Sequence, residues 1–297
     1  VDGSDFRFVD AVNELSIYHT GYGKALHDGK VSSGRNLKII LKELEEHPDS
    51  HRMLGYLGDE YYSAENLEKA EEAFRKSISL MPDTVETIDP IRTAMTFTKL
   101  MEILYANIET TEENFMEIYN KAILRLPQEG DFDFYAGKYF SRHGNYRKAE
   151  KHLKRALAQL EKYGTAFKSM FLSGDIRQAY EMLATCCFNN GNLAECINYS
   201  TVLLKADRYL MSTLFLMLTA FSVDERSGRK EAASALAVAT FLGQNLYDFS
   251  TLKDRLFVLK AAMKANYGSM VAVLREMFRP EELVIVDQAL AGEHKEN

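Results

Sequence analysis

Residues 54–83, LGYLGDEYYSAENLEKAEEAFRKSISLMPD, carry two apolar stripes separated by a polar turn. Leu54, Leu57, Gly58 and Tyr61 recur at the three- and four-residue spacing of one helix face. Ala70, Phe74 and Ser77 do the same for a second helix, and Pro82 cannot continue it. Gly58 and Ala70 are small, which lets the two helices approach closely. Tyr61 and Phe74 are large enough to fill the space between them.

The frame recurs downstream. YAGKYFSRHGNYRKAEKHLKRAL (135–157) places Gly137, Phe140, Ala149, Leu153 and Ala156 at matching positions. YEMLATCCFNNGNLAECINYSTVLL (180–204) does so with Leu183, Ala184, Cys187 and Cys196. Asn66, Asn145 and Asn192 each stand four residues before the small packing residue, where they are expected to adopt the turn and cap the next helix. Two weaker units follow the frame over 91–127, with Ala122 and Pro127, and over 212–243, with Gly228 and Ala233. After Ser250, TLKDRLFVLKAAMKANYG and MVAVLREMFRPEELVIVDQAL read as amphipathic capping helices, and the tail GEHKEN as frayed. Upstream, Leu37, Ile40, Leu41 and Leu44 predict a helix stopped by Pro48. Before it, LSIYHTGYGK (15–24) reads as a short strand broken at Gly21 and Gly23.

This frame of about 34 residues is similar to the tetratricopeptide repeat. The resemblance implies an all-α superhelix of about five helix-pair repeats plus capping helices, with a short β/loop remnant at the start. The expected divisions are a remnant at 1–33, a connecting helix at 34–50, the array at 51–250, and caps and tail at 251–297. In such repeats the first helix of each pair lines a concave groove. The groove positions fall on Arg52, Gly55, Asp59, Tyr62 and Ser63, then Asp131, Phe134, Lys138, Ser141 and Arg142, then Gln178, Glu181, Thr185, Phe188 and Asn189. Arg52, Asp59, Tyr62, Phe134, Lys138, Arg142, Glu181, Phe188 and Asn189 are the residues expected to contact a protein or peptide partner. The lysine and asparagine clamp by which related receptors hold a terminal carboxylate is absent: Asp59, Gly55, Phe134 and Lys138 occupy its places. Anionic peptide tails are therefore poor candidates.

Residues 6–50 resemble the end of the catalytic domain in bacterial family 2 glycosyltransferases that run directly into tetratricopeptide repeats. IYHTGYGK followed by RNLKIILKELEEHPDS carries the likeness, while Asn13-Glu14 stand where the family often has His-Glu. The resemblance implies that the strand is the last piece of a domain lying mostly outside this chain. It places His19 toward a metal or diphosphate and Lys24 near the phosphates. A nucleotide sugar and a divalent cation, Mg or Mn, are expected only for such a parent, with no cofactor and no catalytic residue in this chain. Asp2 and Asp5 lack the context of a metal-binding Asp-x-Asp and read as solvated acids. The alternatives are a free-standing adaptor unrelated to glycosyl transfer and a peptide-sensing regulator, the latter disfavoured because no DNA-binding helix-turn-helix precedes the repeats.

Composition narrows these readings. A formal charge of −7, with lysine and arginine scattered among glutamates, argues against nucleic acid, which rewards a concentrated basic face. The longest apolar stretch, LMSTLFLMLTAF (210–221), falls short of the roughly 20 residues needed to span a bilayer and predicts a buried helix. Residues 1–20 lack the pattern of a signal peptide. Cys186, Cys187 and Cys196 match no zinc spacing and are expected as small core residues in a reduced, cytoplasmic protein. Oligomeric state is left open.

Overall fold

The computed structural model describes residues 34–82, 89–165, 168–284 and 286. The strand expected at 15–18, together with His19 and Lys24, lies outside them. The chain divides into two compact units, Val1–Pro82 and Asp83–Asn297. Among the described residues the fold is all-α, with no strand.

In the first unit α1 (Arg35–Glu46) packs on α2 (His51–Ser63), and α2 on α3 (Leu67–Leu80). Ile40 is the buried anchor of α1, while Leu41 of the expected stripe faces solvent. Gly58 has the predicted role, since a Cβ there would stand 2.3 Å from the Phe74 ring. Asn66 caps α3 as expected, its Oδ1 accepting from the Lys69 N–H at 3.2 Å.

The second unit is a run of helix pairs: α4 (Pro90–Ala106) with α5 (Glu112–Arg125), then α6 (Gly130–Arg142) with α7 (Tyr146–Tyr163). A short α8 (Met170–Gly174) leads to α9 (Ile176–Asn189) with α10 (Leu193–Ala206). The pairs α11 (Met211–Arg226) with α12 (Ala235–Asn245), and α13 (Leu252–Lys264) with α14 (Gly268–Arg275), complete it. First helices stack in order, α4 on α6, α6 on α9, α9 on α11 and α11 on α13. This layering is that of an α-α superhelical repeat. At the α6–α7 crossing a Cβ on Gly137 would lie 2.6 Å from the Leu153 side chain.

One turn recurs four times. Asn66, Asn145, Asn192 and Tyr267 each donate a backbone N–H to the carbonyl five residues back, at 2.9, 2.9, 2.8 and 3.0 Å. The preceding residues, Glu65, Gly144, Gly191 and Asn266, all have positive φ. This is the Schellman arrangement, which satisfies carbonyls left open at a helix C-terminus. The helices read as caps, α13 and α14, are thus joined like a repeat. Two local expectations differ. Ala233 lies before α12 rather than in it, and Ala235 and Ala239 are the small residues buried there. Asn192 does not cap α10, because a carboxylate from the neighbouring pair draws its side chain away.

Candidate functional site

The first-helix layer of α4, α6 and α9 gathers charge and aromatic surface. On α6, the Lys138 ammonium lies over the rings of Tyr105, Phe134 and Tyr135 at 5.2, 5.2 and 5.1 Å. Partial burial lowers its pKa, opposed by the charges of Asp175 and Glu102. No described residue offers it a hydrogen-bond acceptor. One turn on, Arg142 donates Nη1 to the carbonyls of Tyr105 and Ala106 at 2.9 and 3.2 Å, satisfying the exposed end of α4. On α4, Lys99 pairs with Glu102 at 3.4 Å and covers the Phe171 ring at 5.3 Å. Sequence spacing selected Lys138 and Arg142; it missed Lys99, Glu102 and Tyr105 because the α4 pair departs from the repeat signature.

The remaining predicted residues spread more widely. Phe134 is corrected: its ring is fully buried and forms one side of the Lys138 nest instead of facing a groove. Gly55 and Asp131 are buried too. On α9, Glu181 pairs with Arg177 at 2.8 Å, and Asn189 donates to the Thr185 carbonyl at 2.8 Å. Phe188 packs half-buried on Ala184, Cys187 and Cys196. In the first unit Arg52 is exposed, and Asp59 and Tyr62 are partly exposed on α2.

Behind this layer, α6 buries acids. Asp133, with no exposed surface, accepts from the Tyr119 hydroxyl at 2.9 Å and Arg155 Nε at 2.6 Å. His152 Nδ1 contacts it at 2.8 Å, and the imidazole stacks on Phe140. Burial raises the Asp133 pKa, while the His152 hydrogen bond and charge oppose the rise. The network is closed and ties α5, α6 and α7 together.

Glu129 and Asp131 reach about forty residues along the chain to cap α8, which has no cap of its own. Asp131 accepts from the N–H groups of Leu172 at 2.7 Å and Phe171 at 3.1 Å, and Glu129 from that of Ser169 at 2.6 Å. Burial pushes the Asp131 carboxyl up to about 7, with help from the Glu129 charge and against the pull of the backbone donors.

Glu150, Cys187 and Glu195 bring three ligand-type atoms within 4.8 Å of one another. Lys154 already occupies this cluster, 2.8 Å from Glu150 and 2.7 Å from Glu195. Asn190 and Asn192 donate to Glu150 at 2.6 and 3.3 Å, which explains the missing cap on α10. Burial, the first cause, and the adjacent acids push the Cys187 thiol up to about 12, so it stays protonated. The donor set suits an ion pair better than a cation. The three cysteines are buried free thiols.

Residues 51–84 match the tetratricopeptide repeat family. Among solved structures the chain is similar to YrrB, described as a tetratricopeptide protein with an unusual peptide-binding site. The TM-score is 0.50 at 15% identity, over 80% of this chain and 98% of that one. It is also similar to pilF of Pseudomonas aeruginosa, with a TM-score of 0.44 at 16% identity, over 76% of this chain and 89% of that one. No curated protein sequence matches. The likeness to YrrB shows the fold, an array of tetratricopeptide-type helix pairs. No helix among the described residues is long and apolar enough to cross a membrane.

Proposed function

We propose that the chain is a protein-interaction scaffold whose α4–α6–α9 face receives a segment of a partner protein. The observation that carries this reading is Lys138, an ammonium held among three rings with no hydrogen-bond acceptor among the described residues. A partner carbonyl or carboxylate supplies the acceptor, and the rings give apolar area around it, the usual make-up of a binding anchor. Glu102, Asp175 and Glu181 put negative charge on the same helices, which favours a partner segment of mixed charge over an acidic tail. Arg142, Phe188 and Asn189 extend the face, and Arg52, Asp59 and Tyr62 offer contacts on the first unit. YrrB, of similar fold, is described as having a peptide-binding site; the class of ligand is carried over here, not its residues. In a pull-down or titration with the partner, Lys138→Gln is expected to lower affinity at least about tenfold, the loss of one anchor. Unaltered affinity overturns the assignment.

A finer reading makes the array part of a bacterial family 2 glycosyltransferase, presenting an acceptor to a catalytic domain. The resemblance of residues 6–50 supports it. Nucleotide sugar and Mg or Mn then belong to that domain, with His19 and Lys24 directed at the diphosphate. The same reading puts the chain in the cytoplasm, where closely spaced thiols stay reduced. The coding sequence upstream of Val1 decides: an Asp-x-Asp nucleotide-sugar domain supports the link, and an in-frame stop before a start at Val1 removes it.

A further inference from the structure

Beside the Lys138 nest, between the first turns of α4 and the α8 segment, lies a recess of about 230 Å³ that opens to solvent. It has room for about one water-sized group. Met95, Met170 and Phe171 form its apolar sides; Thr98, Glu129 and Asp131 supply its polar atoms. The apolar members are partly or fully exposed, whereas Thr98 is 1% exposed, Asp131 3% and Glu129 4%, so the polar groups sit at the buried end.

That end buries two acids without an ion pair. Both carboxylates accept backbone N–H groups, yet neither is in an ion pair among the described residues. Of the cations nearby, Lys99 pairs with Glu102, while Lys168 donates to Gln128 at 2.7 Å and acts on Glu129 only through its charge. Thr98 lines the recess, and its hydroxyl has no hydrogen-bond partner among the described residues, an uncommon state for a buried polar group. Two acids without an ion pair and a hydroxyl without a partner among the described residues line the same small recess.

We propose that this recess is a subsite for a primary alkylammonium group, the lysine side chain of a protein partner. An –NH3+ head is close to water in size and carries three donors, matching the three acceptors. Its methylene stem lies against the two methionines and Phe171, whose soft, unbranched neighbours adapt to it. A guanidinium is too broad and too planar for so small a space. The assignment rests on the scaffold reading for its biological sense but is tested without the partner.

The full chain with 13C-labelled methionine methyls is titrated with n-butylammonium chloride, the Met95 and Met170 signals being identified by Met95→Leu and Met170→Leu. Saturable shifts of those two methyls are expected, at least tenfold weaker with n-butanol or n-butylguanidinium. Nα-acetyl-lysine methylamide is expected to reproduce the shifts and glycinamide not to, which separates a side-chain ammonium from a chain terminus. Thr98→Val keeps the shape of the site and is expected to weaken the probe at least threefold; Asp131→Asn is expected to abolish the shifts. Equal shifts with n-butanol, or none with n-butylammonium, overturn the subsite. Either failure leaves the Lys138 face standing, since that face is judged by partner affinity alone.

Discussion

The seam joining α5, α6 and α7 and the seam among α11, α12, α13 and α14 are built from the same helix pairs but differ in how their buried charge is held. The second is filled mainly by aliphatic and aromatic side chains such as Leu218, Leu242, Leu259, Tyr267 and Met270, and its buried charges are in ion pairs, Arg255 with Glu282 at 2.7 Å and Asp254 with Arg208 at 3.6 Å. The first buries Asp133, paired with Arg155, while the same helix buries Asp131 toward α8 without an ion pair among the described residues, with Glu129 just before it. Hydrophobic residues of suitable volume suffice to hold such an array, and exchanging buried ions for them is often neutral or stabilising. The acids of the α6 pair are therefore not demanded by the fold. They stand next to the face and the recess to which function is assigned.

The comparison breaks most sharply at Asp133. Asp133→Ala leaves His152, Arg155 and Tyr119 without their acceptor and is expected to cost about 3–5 kcal/mol by urea denaturation; a loss under about 1 kcal/mol would mean the network is idle. In the apolar seam Leu259→Ala is expected to cost about 2–5 kcal/mol, through a cavity and with no pH dependence. Gly137→Ala forces a methyl against Leu153 and is expected to cost about 1–3 kcal/mol, provided the thermal midpoint falls accordingly.

A pH series sharpens the contrast further. The Asp131 pKa is raised from 3.8 to about 7 in the folded chain, so folding binds a proton over that interval. Its contribution to stability is complete below the unfolded value and is lost as pH rises through 7. Stability should fall with rising pH by at most about 1.4 kcal/mol per unit, and Asp131→Asn should flatten the slope. A slope unchanged by that substitution would assign the pH dependence to Glu129 or Asp133, whose pKa values are also raised. The smallest effect on folding belongs to Lys138→Gln, within about 0.5 kcal/mol. A large loss of stability there would make Lys138 a packing residue and not an anchor.

The repeat frame was legible because it is local. Gly58 against Phe74 and Gly137 against Leu153 join positions sixteen residues apart, and the fixed length of a helix pair brings them together in both copies. The face was legible only in part. Lys138 and Arg142 follow from their place on a repeat helix, but the same rule put Phe134 toward solvent, where the structure buries it. The pair α13–α14 was read as caps and not as a repeat, although Asn266-Tyr267 makes the same turn.

Sequence by itself settled what short-range geometry encodes: helix-pair periodicity, turn residues with positive φ, and small residues at crossings, each a relation among neighbours along one or two helices. Tertiary structure alone decided where the charges go. Asp131 and Glu129 find the α8 amides about forty residues away, Asn192 turns from its own helix to Glu150, and Lys138 meets a ring from α4. Such partners are chosen by burial, where an unmet charge is expensive and any donor within reach is taken, and no periodicity along the chain announces which donor that will be.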